Sequence, residues 1–338
     1  MDEFDESVED EAKVSGKFLP GTLYFMKETD FISGETFEYY KIGIVKGERD
    51  VFDREKDHKT GNPRHIASVK DIDSPAVQIL ETYLHNALAK HRVSSGEWFY
   101  LPGDLLSQAI ELAAEIREKL AANVEGLLLE VGKSKMNHSG VALGFSQDLQ
   151  DLANAALRAE ASAKQAVEKR KAIGQFLKDV AGEDENLNFL FKIWSVDERK
   201  SFDTTSFAKA HKEIYEKYKT KETSSWALNF LVKLENKPPS EELVLENLSP
   251  IELHEAYLDA WSEQANRAFE HALLEAQLIA AIGDAASVEG LVEWKESKRI
   301  AFDGAKFKAE HPDLAAEFIK VTPAKVNKSP AEWASYKK

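Results

Sequence analysis

The sequence predicts a small α+β domain, a three-stranded antiparallel sheet with flanking helices, followed by a mainly α-helical region that carries two tandem repeats. Three observations predict it. Aromatic and branched residues gather in two short runs between residues 22 and 45, as they do in strands. Beyond Asp104, apolar and small residues recur at steps of three and four over long stretches, the period of a helix. Six distinctive residues then recur at a constant offset of 100 positions, the mark of a duplicated unit.

Taken in order, residues 1–20 hold seven acids against Lys13 and Lys17 and no hydrophobic period, which reads as an acidic disordered tail. Thr22–Met26 and Tyr39–Val45 are the first two strands, with a turn at Ser33-Gly34. A short helix is expected over Val51–Lys59, stopped by Gly61 and Pro63. A third strand covers Ile66–Ile72. Pro75 then opens a helix whose Val77, Leu80, Leu84 and Leu88 share one face. Gly96–Tyr100 closes the unit and Pro102-Gly103 ends it, giving a domain over residues 21–103.

Everything after Asp104 reads as helix: a connector over 104–140 and two modules over 141–240 and 241–338. In the first module Leu149, Leu152, Ala156, Ala159, Ala163 and Ala166 form a narrow stripe, continued by Ile173, Leu177 and Val180. In the second, Leu258, Trp261, Ala265, Ala268, Ala272, Ile279 and Ile282 do the same. Such stripes suit long helices packed closely as a hairpin. Trp194, Arg199, Phe202, Asp203, Phe207 and His211 recur as Trp294, Arg299, Phe302, Asp303, Phe307 and His311, and Tyr218 and Phe318 extend the match. The aromatics are read as module cores, with Trp194 and Trp294 at equivalent buried sites. Arg199-Asp203 and Arg299-Asp303 have the spacing of helical ion pairs.

Composition excludes several classes. A net charge of −15 argues against a general nucleic-acid binder. Residues 21–103 are nearly balanced, with 13 acids against 11 bases, so a local cationic cleft is compatible with the total. The absence of cysteine rules out disulfides and thiolate metal sites. No window is apolar enough for a membrane helix and the N-terminus lacks signal-peptide regions, so a cytoplasmic location is expected.

Within residues 21–103 the candidate chemistry is compact. Lys41-Ile42-Gly43 ends a strand, and the glycine admits a ligand or another chain segment at close range. Arg54 and His58 lie four apart on the short helix, as Glu81 and His85 do on the next one. Taken singly, Tyr24 and Tyr40 are ordinary sheet aromatics, and Arg54 and the Glu81–His85 pair are ordinary helix-surface residues. Together, tyrosine, lysine, arginine, histidine and one carboxylate suit a divalent cation and a phosphate. Mg²⁺ keeps most of its waters and takes one or two protein carboxylates, and the guanidinium fork matches a phosphate.

These residues resemble the motifs of the GIY-YIG nucleases, in particular a phage-type branch whose second motif reads Lys-Ile-Gly. Tyr24 in Leu23-Tyr24-Phe25 matches the first-motif tyrosine and Lys41-Ile42-Gly43 the second motif. Arg54-x3-His58 matches the family's Arg with Tyr or His, and Thr60-Gly61-Asn62-Pro63 continues in that branch's manner. Glu81 within Leu80-Glu81-x-x-Leu84-His85 matches the metal-binding glutamate, and Gly96-Glu97-Trp98-Phe99 the closing segment. Two departures stand out: Thr22-Leu23 precedes Tyr24, and the longer spacing from Tyr24 to Lys41 implies an extended hairpin. The resemblance implies one-metal phosphodiester hydrolysis. Glu81 holds Mg²⁺ or Mn²⁺, Tyr24 orients or deprotonates the attacking water with its pKa lowered by Lys41 and the metal, Arg54 stabilises the phosphate, and His58 is a second base. Tyr40, Gly43 and His85 complete the candidate set.

The C-terminal pattern of Trp, Arg-x-x-Phe-Asp, Phe and His311-Pro312 after an Ala-rich helix is similar to the accessory region of lambda-type phage recombination exonucleases, without any of that family's catalytic motifs. The implied function is a phage-associated DNA endonuclease, cytoplasmic in a bacterial host, whose helical modules bind DNA, a partner protein or a second copy. A reading of a different class is a non-catalytic binder whose degenerate nuclease fold engages a host DNA-binding or defence protein.

Overall fold

The computed structural model describes residues 20–46, 50–59, 64–94, 96–124, 126–127, 138–234 and 243–334. All but the last residue of the acidic tail over 1–20, and the Thr60–Pro63 part of the nuclease resemblance, lie outside these residues.

The N-terminal unit is an antiparallel sheet with helices on both faces. Strands β1 (Gly21–Asp30) and β2 (Thr36–Lys46) form a long hairpin, paired from Gly21↔Lys46 to Thr29↔Thr36. The extended hairpin implied by the Tyr24–Lys41 spacing is therefore present. Helix α1 (Val51–Lys59) follows, then β3 (Arg64–Ser74) along the far side of β1, and α2 (Val77–Ala87). Trp98–Tyr100 adds a fourth strand, β4, where three were expected, and the order is β3-β1-β2-β4.

Strand alternation divides the side chains between two layers. Leu23, Phe25, Tyr40 and Ile42 face α2 and helix α3 (Leu105–Ala122). Tyr24, Met26, Val45 and Ile66 face α1 through Val51. Helix α3 belongs to this core, since its Ala109, Ala113, Ile116 and Leu120 are buried against α2 and the sheet. The packed unit thus runs past Gly103, and α3 is part of it rather than a free connector.

A strand pair β5 (Ala142–Leu143) and β9 (Ser287–Val288) brackets the start of the C-terminal region. Two long helices dominate it, α4 (Gln147–Ala181) and α7 (Pro250–Ile282). Ser146 caps α4 and Ser249 opens α7 with a capping box to Glu252. The helices are antiparallel: Ala153 and Ala156 meet Leu278 and Ile282 at one end, while Leu177 meets Leu253 at the other. Two residues of the expected stripes, Val180 and Ala268, are exposed. Helix α7 has a second partner, which turns its buried face. Its Phe269 and Ala276 enter the N-terminal core, and Tyr83 Oη donates to Asn266 Oδ1 at 2.5 Å.

The repeats depart most from the all-helical expectation. After α4 the chain forms β6 (Phe191–Val196), β7 (Arg199–Phe202), the short helices α5 (Thr204–Ala210) and α6 (Lys212–Lys217), and β8 (Lys219–Phe230). After α7 it forms β10 (Val292–Phe302), α8 (Gly304–Glu310), α9 (Pro312–Glu317), β11 (Ile319–Thr322) and β12 (Lys325–Pro330). The short helices coincide at the 100-residue offset. Asp203 and Asp303 both cap them, accepting from the Ser206 and Lys306 backbone amides. The expected Arg–Asp ion pairs are therefore absent among the described residues: each arginine lies in a strand and each aspartate is engaged at a helix start.

The two modules also exchange strands. β7 pairs with β11 and β10 with β8, so each ribbon takes one strand from each module. The exchange is reciprocal at the crossover, where Asp203 N donates to Phe318 O and Asp303 N to Tyr218 O. The Phe207 and Phe307 rings lie 4.5 Å apart, tilted by 46°, in one shared core with Phe202, Phe302 and Tyr218. Trp194 and Trp294 occupy equivalent strand positions but not equivalent burial, at 40% and 8% exposure. The β10 ribbon is widened to four strands by β9 and β5, whereas among the described residues β6 pairs only with β12, which leaves Trp194 uncovered.

Candidate active site

The site forms where the sheet is incomplete. β4 pairs with β2 only over Tyr39–Lys41, and Ile42 N donates to Glu97 O just beyond it. Past that point β2 has no outer neighbour among the described residues, so groups from the α1 face and from α2 meet around its edge. A cleft of about 540 Å³ opens there, with Lys41, Glu81, His85, Arg92 and Glu97 on its walls.

Tyr24 lies opposite Gly43 in the β1–β2 register, and both face α1. A Cβ on Gly43 would stand 2.5 Å from the Tyr24 hydroxyl. The glycine of Lys-Ile-Gly thus makes room for the tyrosine ring. That hydroxyl is fully buried and has no hydrogen-bond partner among the described residues. Burial pushes its pKa up to about 12, against the nearby Arg54 guanidinium, which pulls it down without reaching hydrogen-bonding geometry. With no cation bound, desolvation outweighs Arg54 and the phenol keeps its proton; the lowered pKa that the resemblance implies for Tyr24 rests on the charge of the metal as well as on Lys41.

Glu81 is 9% exposed, with Gln78 Nε2 donating to its Oε2 at 2.8 Å and Lys46 Nζ holding the Gln78 amide oxygen at 2.5 Å. Burial first, and then Glu97, lift its pKa to about 7. Among the described residues it enters no ion pair. Lys41 instead pairs with Glu97 at 3.0 Å. Glu97 was missed in the sequence because Gly96-Glu97-Trp98 read only as a closing segment, and the ion pair depends on Lys41 and Trp98 being strand partners. Gln78, Lys46 and Arg92 carried no sequence signal of their own.

Arg54 and His58 stand on α1, off the cleft wall but within its field. Arg54 is loosely paired with Asp57 at 3.6 Å. The His58 pKa is lowered by burial, then by Lys41 and Arg54, and its Nε2 is buried without a partner among the described residues. His58 is therefore a neutral imidazole. His85 Nε2 lies 2.9 Å from Ile42 O; since a carbonyl only accepts, this nitrogen carries hydrogen, and the bond ties α2 to β2. Tyr40 does not join the site. It points to the opposite layer, 6% exposed among Leu23, Phe25 and Ile42, as alternation along β2 from Lys41 requires.

The residues present suit a divalent cation. Glu81 is a buried carboxylate whose ionised form lacks an ion-pair partner, it borders a polar cleft, and Glu97 is a second oxygen donor beside it. Among the described residues no three His, Asp or Glu cluster as a metal cage. No helix of the described residues is long and apolar enough to cross a membrane.

No curated protein and no solved structure matches the chain. Residues 21–117, which include every side chain of the cleft and most of α3, match the T5orf172 domain, found in phage and other nuclease-like proteins and related to the GIY-YIG and HNH-type endonucleases.

Proposed function

We propose that the chain is a phage-associated, divalent-metal-dependent endonuclease of the GIY-YIG type, and that the cleft beside β2 hydrolyses DNA phosphodiester bonds. The observation that carries this reading is Glu81, a buried carboxylate within the electrostatic field of Glu97, Lys46 and Arg54 and opening onto a polar cleft. Such perturbed groups in clefts favour function over architecture.

Glu81, with Glu97 beside it, would hold Mg²⁺ or Mn²⁺, and the bound cation supplies positive charge against the phosphate and the departing oxygen. The chain's own residues do the rest. Lys41 and Arg54 place permanent positive charge where a phosphate gains negative charge. Tyr24, the first-motif tyrosine of the resemblance, lies behind the cleft with its hydroxyl protonated and buried, and would donate its hydroxyl hydrogen to a water admitted beside it. His58, neutral at pH 7, accepts the proton of the attacking water, the role that the family resemblance divides between it and Tyr24. His85 holds Glu81's helix against the Lys41–Gly43 strand and is a positioning residue.

The test is nicking of supercoiled plasmid by the full chain with Mg²⁺ or Mn²⁺. The expected result is relaxed circles that vanish on chelation and with Glu81→Gln. Tight binding to a basic host protein with no nicking under either cation would instead favour the non-catalytic reading.

A further inference from the structure

The strand-exchanged ribbons carry a charge pattern that the cleft does not use. Residues 191–230 and 291–330 hold 16 Lys and Arg against 12 Asp and Glu, a net of +4 within a chain of net −15. Alternation sorts these charges by face. Phe202 and Phe302 point into the shared aromatic core, so Arg199 and Ser201 on β7, and Arg299 and Ala301 on β10, point the other way. Register completes each outer face. Thr322 lies opposite Arg199 and Lys320 opposite Ser201; Thr223 lies opposite Arg299 and Lys221 opposite Ala301.

Each ribbon therefore presents one arginine, one threonine, one small residue and one lysine in the same arrangement, with no carboxylate among them. Both arginines and both lysines are exposed. Arg199, Arg299 and Lys320 enter no ion pair among the described residues. Asp203, whose charge Lys320 feels, is engaged capping α5. Arg199 and Arg299 are related by the module duplication, whereas Lys221 and Thr223 take the places of Lys320 and Thr322 through the one-residue register shift opposite Ala301–Phe302. The reciprocal hydrogen bonds at Asp203 and Asp303 hold the two faces in one body.

We infer that these paired outer faces are a docking surface for duplex DNA. A two-stranded ribbon is the width of element that a major groove admits, and ribbons are an established means of reading it. Two equivalent cationic faces match the repeating phosphates on either side of a groove. Arginine and threonine supply base-edge and phosphate contacts, while the absence of carboxylate removes the repulsion that the chain's net charge would otherwise impose. This surface lies in the C-terminal modules, outside the cleft, and does not depend on the cleft being catalytic. If the cleft cuts, the ribbons hold the duplex it cuts.

Binding of a labelled 30-base-pair duplex of arbitrary sequence is measured by fluorescence anisotropy across a salt series, using the full chain carrying Glu81→Gln so that the duplex stays intact. Arg199→Glu with Arg299→Glu should weaken binding by on the order of 10- to 100-fold at low salt, and should lower the slope of log affinity against log salt by about 2, roughly 0.9 for each phosphate that is no longer neutralised. Arg199→Lys with Arg299→Lys should retain most of both. Should the glutamate pair disturb folding, as read by thermal unfolding, Lys221→Ala with Lys320→Ala is expected to give the same fall in slope with a smaller loss of affinity. Unchanged affinity and slope in a folded variant would overturn the inference. So would arginine-dependent binding of a polyglutamate peptide by a chain that ignores duplex. Plasmid nicking is scored separately, so a chain that binds through its ribbons but never cuts refutes only the endonuclease reading.

Discussion

At Glu81 a carboxylate sits on the buried side of α2, where desolvation and the neighbouring Glu97 raise its pKa from 4.5 to about 7. An acid with a raised folded-state pKa contributes stability that is fully present below its unfolded value and lost as pH rises through the folded one. Its window is therefore about pH 4.5 to about pH 7, and the full shift corresponds to at most about 3 kcal/mol. With divalent cations chelated, Glu81→Gln should gain stability relative to the parent across that window, read as diverging melting temperatures in a pH series. Parallel profiles would mean the carboxylate is not held as an acid. Cleavage by the parent should rise with pH, since only the ionised carboxylate binds a cation, and its midpoint should fall to lower pH as the cation concentration is raised. Tyr24 offers a complementary separation. Its hydroxyl is buried and unpartnered among the described residues, and such a group destabilises a fold by about 1–3 kcal/mol. Tyr24→Phe should keep or raise the melting temperature while reducing nicking by about 100-fold, the scale of losing one preorganised donor. A large loss of stability with activity intact would mark Tyr24 as packing alone.

Elements decide which of these residues can meet. Helix α1 spans Val51–Lys59, the limits expected from its flanking turn residues. The α2 positions Val77, Leu80 and Leu84 are buried as their spacing requires. What spacing could not reveal is that β4 is only three residues long, leaving the lower half of β2 as an edge around which α1 and α2 approach one another. Gly43 shows how closely the strands are fitted. A methyl there would enter the Tyr24 ring, which is buried in the layer that faces α1. Gly43→Ala should cost about 1–3 kcal/mol of stability, the range for overpacking a filled core, and abolish nicking. Near-parental melting with normal nicking would show that the ring shifts freely and that its position does not matter.

For the whole molecule, α7 is the spine. One part of it packs on α4, another receives the sheet domain through Phe269 and Ala276, and Lys90 reaches Asp259 across the same junction. Two truncations follow. A fragment over 21–103 lacks α3 and should be less soluble and lower melting than one over 21–122, because Ala109, Ala113, Ile116 and Leu120 no longer cover the sheet. A chain ending at residue 240 loses the partners of β6, β7 and β8 at once and exposes Phe207. It should self-associate by exchanging strands with another copy, and a monomeric, cooperatively melting fragment in light scattering would contradict the interlock. The duplication was legible because distinctive aromatics recur without a gap, and the long helices because small residues mark their contact. The nuclease-like set was legible because its residues come in order within one short domain. The ribbons were not legible: β6, β7 and β11 expose both faces, so no alternation of apolar and polar residues announces a strand. Their strand identity comes from pairing with the other module, as does the burial of Phe207 against Phe307. The same holds for Tyr24, whose neighbours could lower its pKa on paper while the packed sheet around it raises it, because desolvation is a property of the assembled layer and not of any residue pair in the chain.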